Sequence, residues 1–208
     1  MAKKHNTKDS ILKLLLSNKR EEFSIRAISK NILVDYKTVY MVVKALIKNK
    51  VVLAKKAGQT ILCSINPKEF NADVFKAELI RKEELLRNKN FSVLCSYFKD
   101  IKEPFFILLI FGSYASGKPR KGSDIDLMLV VDDEKVKRKV KNKASQIPLN
   151  IHLIDFTSQE FLSMLKTTEF NVGKEAFYNN IILFGIEDYY RIIQNAWWKK
   201  SEGSRKQY

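Results

Sequence analysis

The chain has 208 residues, 45 % of them hydrophobic, and its 38 Lys and Arg against 23 Asp and Glu give a formal net charge of +15. That is enough apolar material for one large core or two small ones, and no run of about eighteen apolar residues marks a membrane span. The charged N-terminus is not followed by an apolar signal region, and Cys63 and Cys95 lack metal-ligand spacing, so a cytosolic protein with buried thiols is expected. The basic excess is uneven: residues 1–66 hold 14 basic and 4 acidic side chains, net +10, leaving 24 against 19, net +5, for 67–208. The first third therefore reads as the polyanion-facing part, the alternative being a lysine-rich surface that keeps the protein in solution.

Over 7–17, Ile11, Leu12, Leu14, Leu15 and Leu16 crowd one side of an amphipathic helix that Thr7 is placed to cap. Ser24 reads as the N-cap of a short helix over 25–32 that buries Ile25, Ile28 and Ile32. Leu33-Val34-Asp35 makes the turn, and Asp35 caps a third helix over 36–48, with Val39, Val42, Val43, Leu46 and Ile47 at helical spacing. Residues 51–56 and 60–65 are strand-like runs joined by Ala57-Gly58-Gln59, a hairpin with glycine at its tip.

Helix, short helix, turn, longer helix and hairpin, in that order, resembles the winged helix-turn-helix family over roughly residues 5–66, within a first domain at 1–66. The resemblance implies a third helix in the DNA major groove, carrying Tyr36, Lys37, Thr38, Tyr40, Met41 and Lys44. It implies a wing carrying Lys55, Lys56 and Gln59 against the backbone. Tyr36, Lys37 and Thr38 fall in the helix's first turn, where side chains reach base edges or phosphates. Winged helices also serve as protein-protein modules; the net +10 weighs toward DNA or RNA.

Residues 67–90 carry Phe70, Val74, Phe75, Leu79, Ile80, Leu85 and Leu86 amid charges, a long connecting helix interrupted at Asn88-Lys89-Asn90. A further helix over 91–99 leads through Lys102-Glu103-Pro104 into the second domain. These helices are expected to join the domains or to mediate contacts in a homodimer.

Residues 105–111 (Phe105-Phe106-Ile107-Leu108-Leu109-Ile110-Phe111) form a continuous apolar run, a buried strand that needs cover on both faces. Gly112-Ser113 breaks it. Tyr114-Ala115-Ser116-Gly117 can then make a helical turn whose free amides, with the Ser113 hydroxyl, suit phosphate oxygens, while Lys118, Arg120 and Lys121 stand nearby as cations. After Gly122-Ser123 comes the strand opening Asp124-Ile125-Asp126-Leu127, which places two carboxylates on one face. Such a pair repels itself unless a cation binds between its members, and oxygen-only ligands suit Mg²⁺ or Mn²⁺.

Gly112-Ser113-Tyr114-Ala115-Ser116-Gly117 followed by Ser123-Asp124-Ile125-Asp126-Leu127 resembles the minimal nucleotidyltransferases of the polymerase-beta superfamily. The resemblance covers about residues 91–190, within a domain at 91–196 that precedes a polar tail at 197–208. It implies a small mixed sheet flanked by helices, making the chain α+β overall. It also implies an NTP held at Gly112, Ser113, Lys118 and Ser123, with metal on Asp124 and Asp126. The family usually adds a third carboxylate from a neighbouring strand. Here the next strand, around 148–155, puts Leu149, Ile151 and Leu153 on one face and Asn150 and His152 on the other. An amide and an imidazole thus stand where an acid is expected. Asn150 can offer a neutral carbonyl and His152 a ligand or base, whereas Asp155 has the wrong parity.

The basic stretch 135–143, with little apolar periodicity, reads as a solvated helix face or as a guide leading a polyanion toward the site. Ser158-Gln159-Glu160-Phe161 opens a helix, and 179–185 with Tyr189, Tyr190, Ile192 and Ile193 closes the domain. Two readings result. One is metal-dependent transfer of NMP from an NTP to a hydroxyl acceptor, alongside DNA binding; relatives include enzymes acting on proteins such as partner toxins, on antibiotics and on nucleic acid ends. The other is a DNA-binding regulator or antitoxin whose nucleotidyltransferase domain senses nucleotide or binds a protein partner without turnover.

Overall fold

Asn6 rather than Thr7 caps the first helix, α1 (Thr7–Ser17): its side chain accepts a hydrogen bond from the Lys8 backbone N–H at 2.8 Å. An asparagine carbonyl caps at least as well as a threonine hydroxyl, so Thr7 is left as the first helical residue. The structure, a computed structural model, describes residues 6–102, 105–120 and 122–202, with side chains through 196. Lys121, the Glu103-Pro104 step and the end of the expected polar tail lie outside the described residues. The chain divides into two units, Met1–Ile80 and Arg81–Tyr208.

In the first unit, β1 (Phe23–Ser24) leads into α2 (Ile25–Ile32), capped by Ser24 through the Ala27 N–H. Ile25 and Ile28 are buried, while Ile32 is only half-buried. Leu33 ends α2 in the left-handed region at φ 55° and is 92 % exposed. α3 (Tyr36–Lys48) starts under Asp35, whose carboxylate accepts from Thr38 N–H at 2.9 Å; that bond holds the carboxyl below its usual range. Val39, Val43 and Leu46 are buried, whereas Val42 and Ile47 lie half-buried at the edge of the stripe. β2 (Val52–Ala57) and β3 (Thr60–Ile65) pair antiparallel with Ala57 opposite Thr60. Ala57 thus belongs to the strand, and the loop is Gly58-Gln59 alone. The sheet order is β1-β3-β2.

α4 (Ala72–Leu85) runs across the boundary between the units. In the second unit, α5 (Lys89–Phe98) is capped by Asn88, and β4 spans Ile107–Phe111. The expected strand is shorter at its start because Phe105 takes φ 65° and is 69 % exposed. Beyond it come α6 (Gly112–Ala115), β5 (Ile125–Val130), α7 (Glu134–Ala144), β6 (Ile151–Phe156), α8 (Ser158–Lys166), α9 (Val172–Tyr178), β7 (Asn180–Phe184) and α10 (Ile186–Glu202). The helix α10 continues to Glu202, into the stretch read as a polar tail. The mixed sheet has the order β6-β5-β4-β7; β5 and β6 run parallel through the crossover helix α7, and the other pairs are antiparallel.

Strand alternation divides the sheet's faces. Leu108, Ile110, Leu127, Leu129, Ile151 and Leu153 pack with α5 and α7, so Leu109, Asp126, Met128, His152 and Ile154 point the other way, toward the side of α8, α9 and α10. All five residues of β4 are buried, as cover on both faces requires. α7 carries a periodicity that its lysines conceal: Val136, Val140 and Ala144 recur every fourth residue and are buried. At the β7 edge, Arg81 donates to the Asn180 carbonyl and Lys82 to the Leu183 carbonyl.

Candidate functional site

At the end of β4 the chain turns at Gly112, with φ +68°, and an added Cβ there would stand 2.6 Å from Asp126 Oδ2. The loop backbone lies against the carboxylate, an approach only a residue without a side chain permits. The loop is then closed by its own bonds. Ser116 N–H donates to the Gly112 carbonyl at 3.1 Å, Gly117 N–H to Tyr114 at 3.2 Å and Lys118 N–H to Ser113 at 2.9 Å. Arg120 N–H donates to Ser123 Oγ at 2.8 Å, and the Tyr114 hydroxyl donates to the Ser123 carbonyl at 3.3 Å. The Tyr114 ring meets Phe91 edge-on at 5.2 Å, anchoring the loop to α5. Tyr114 is thus an organising residue that sequence reasoning passed over, since an aromatic in a loop gives no periodic signal.

These bonds correct the expected phosphate pocket. The helical turn begins at Gly112, and the amides of Ser116 and Gly117 are used inside the loop. The amides lacking a partner within the turn are those at its start, at Ser113 and Tyr114. Ser113 is half-buried, Lys118 exposed, and the Ser123 hydroxyl serves the loop turn.

Asp124 is exposed just before β5, and Asp126 is half-buried within it. Parallel pairing sets Asp126 beside His152, with Nδ1 3.2 Å from Asp126 Oδ1. The His152 side chain is 63 % exposed, so the pair opens to solvent. Asn150 precedes β6 and is exposed; its backbone carbonyl accepts from Ile125 N–H at 2.8 Å. Asp155 faces α7, where Lys137 and Lys141 meet it at 2.8 and 2.5 Å. Burial raises the Asp155 carboxyl, but the two lysines outweigh burial and hold it below its usual range; Asp155 in turn raises Lys137. The basic stretch 135–143 therefore lies on the sheet face opposite Asp126 and His152.

The donor set decides which metal arrangement fits. Among the described residues, no group of three or more His, Cys, Asp or Glu is placed to hold a metal ion. Two hard carboxylates, Asp124 and Asp126, would leave a Mg²⁺ to take its remaining ligands from waters and substrate phosphates. They do not make a protein cage for two ions.

In the first unit, Tyr36, Lys37, Thr38, Lys44, Lys55 and Lys56 are exposed and Tyr40 half-buried. Tyr36 stacks on Tyr40 with centroids 6.0 Å apart, and the Lys44 ammonium sits 4.8 Å from the Tyr40 ring centre. Lys55 lies 3.8 Å from Glu22. No helix among the described residues is long and apolar enough to cross a membrane.

Residues 94–186 match the family "Polymerase beta, Nucleotidyltransferase". No curated protein matches the chain. A solved structure, "Crystal structure of the toxin-antitoxin with AMP-PNP", is similar at 15 % identity over 55 % of this chain and 91 % of that chain, with a TM-score of 0.35; so distant a likeness carries no functional argument. The segment that holds Gly112, Asp126 and His152 lies inside the stretch similar to that nucleotidyltransferase family.

Proposed function

We propose that the second unit transfers a nucleoside monophosphate from an NTP to a hydroxyl acceptor. The observation that carries this reading is the packing of the Gly112 turn against Asp126, which brings the start of the α6 turn and a carboxylate to one point. Ser113 and the first amides of α6 take triphosphate oxygens, and Lys118 offsets their charge. Asp124 and Asp126 hold Mg²⁺ or Mn²⁺, which when bound polarises the phosphates and neutralises the departing pyrophosphate. His152, hydrogen-bonded to Asp126, orients that carboxylate.

The same contact favours a second reading, in which nucleotide is held without turnover. His152 engages Asp126 where a third acid would serve an acceptor hydroxyl, and Asp155 is spent on α7. One assay separates the two: each labelled NTP with Mg²⁺ or Mn²⁺ and candidate nucleic acid, protein and small hydroxyl acceptors, compared with Asp124→Asn/Asp126→Asn. Pyrophosphate release that the double variant loses supports transfer. Metal-dependent NTP binding with no release under any condition supports the regulatory reading.

For the first unit we propose a winged helix-turn-helix module that binds duplex DNA through α3 and the β2–β3 hairpin. Element order, the β1-β3-β2 sheet and the exposed Lys37, Lys44, Lys55 and Lys56 support it. Lys→Gln changes at these positions are expected to weaken binding of many sequences alike and to flatten its salt dependence.

A further inference from the structure

Beside α3 in the first unit lies a cleft of about 360 Å³, walled by Arg26, Tyr36, Tyr40, Gln59, Thr60 and Ile61 among others. Its volume falls in the range of small-molecule sites, roughly 300–1,000 Å³. Paired bases in a duplex offer only their edges to a protein, and edge readers are projecting side chains, not concave pockets. An unpaired base offers two flat faces.

The cleft is built for a flat ligand. Tyr36, Tyr40 and Lys44 follow one another at four-residue spacing up one face of α3, the two rings stacked within 25° of parallel and the ammonium set over Tyr40. Tyr40 is thus engaged from the turns on either side of it, and Tyr36, 51 % exposed, is the outermost ring of the ladder. A planar ring placed on Tyr36 extends a stack already formed, at little further cost in side-chain ordering. Exposed Arg26 supplies a guanidinium that pairs with a phosphate, and Gln59 and Thr60 supply hydrogen-bonding groups for a base edge.

We propose that this cleft holds one unpaired nucleobase stacked on Tyr36 with its phosphate at Arg26, so that the first unit prefers a single-stranded segment over a fully paired duplex. The proposal rests on the reading of this unit as a nucleic-acid module and changes the form of nucleic acid it takes. Electrostatics alone predicts the reverse preference, because duplex DNA carries the denser phosphate charge and releases more counterions. A preference for single strand therefore reports stacking.

The test uses the full chain, fluorescence anisotropy and about 12-nucleotide probes, single-stranded and fully paired, at ~0.3 M salt, where counterion release is suppressed. The single strand is expected to bind at least roughly tenfold more tightly than the duplex, and Tyr36→Ala to weaken the single strand by far more than the duplex, so that the advantage is lost. Tyr36→Phe keeps the ring and should retain the preference. Arg26→Gln should weaken the single strand with its salt slope reduced, and circular dichroism melting should show each variant folded. Duplex binding equal to or tighter than single strand, with Tyr36→Ala weakening both alike, overturns the cleft and leaves the duplex reading standing. No binding of either probe overturns both. Displacement of the strand by micromolar free nucleoside monophosphate would identify a free nucleotide as the source of the base and overturn the strand preference.

Discussion

Replacing Gly112 with alanine tests the geometry on which the nucleotide reading depends. Two costs arise. A left-handed φ of +68° is strained for any L residue, by roughly 1–2 kcal/mol. The new methyl also meets Asp126 Oδ2 at 2.6 Å, a distance real contacts do not show, so either the carboxylate or the loop must move. Gly117→Ala isolates the first cost, since Gly117 has φ +70° and nothing within 4 Å of the added Cβ. The two variants are expected to share a loss of about 1–2 kcal/mol, read as a melting shift of roughly 3–6 °C. Only Gly112→Ala should also lose Mg²⁺-dependent NTP affinity, by roughly tenfold or more, since it alone displaces the Asp126 carboxylate that the proposed function assigns to the metal. Isothermal titration with a non-hydrolysable NTP, with and without Mg²⁺, measures the difference. Equal nucleotide affinity in Gly112→Ala and Gly117→Ala would refute the idea that the loop and Asp126 form one site.

Further outcomes follow from the second unit's charges. His152→Asp would place a third carboxylate beside Asp126, and Mn²⁺ titration followed by electron paramagnetic resonance should register tighter or additional binding; unchanged Mn²⁺ uptake would count against a shared site. Asp155→Asn should cost about 1–2 kcal/mol by removing the carboxylate that Lys137 and Lys141 share, seen in denaturant unfolding. Because the folded Asp155 carboxyl is held below its unfolded value, its contribution is fully present above the unfolded pKa and is lost as pH falls through the folded one. The wild type should therefore lose stability on acidification more steeply than Asp155→Asn, which melting curves taken from neutral pH downward would test. Asp35→Ala removes the cap of α3, and hydrogen exchange should show the turn carrying Tyr36, Lys37 and Thr38 fraying first.

Long apolar runs and capping residues made much of the fold legible. The run ending at Phe111 announced an inner strand because both its faces need cover, and Ser24 and Asp35 fixed helix starts by local chemistry alone. Elements without a local signature stayed hidden. β1 is two residues long and exists only through its pairing with Cys63 and Leu62. The seven-residue α9 is too short for periodicity to reveal. In α7, lysines flanking every buried residue masked a spacing of four. Strand parity put Asn150 and His152 on one face, but only register sets His152 against Asp126 and leaves Asn150 outside β6. No local rule showed that Asp155 belongs to two lysines a crossover earlier in the chain.

The cations at the edge of the second unit's sheet bear on where this domain begins. Arg81 and Lys82 occupy carbonyls of β7, an outermost strand, and so blunt a row of backbone acceptors that would otherwise invite another strand. The family match starts at residue 94, after both. A fragment cut to that match would shed its own edge guard, and its tendency to self-associate through β7 would be a property of the cut, not of the protein.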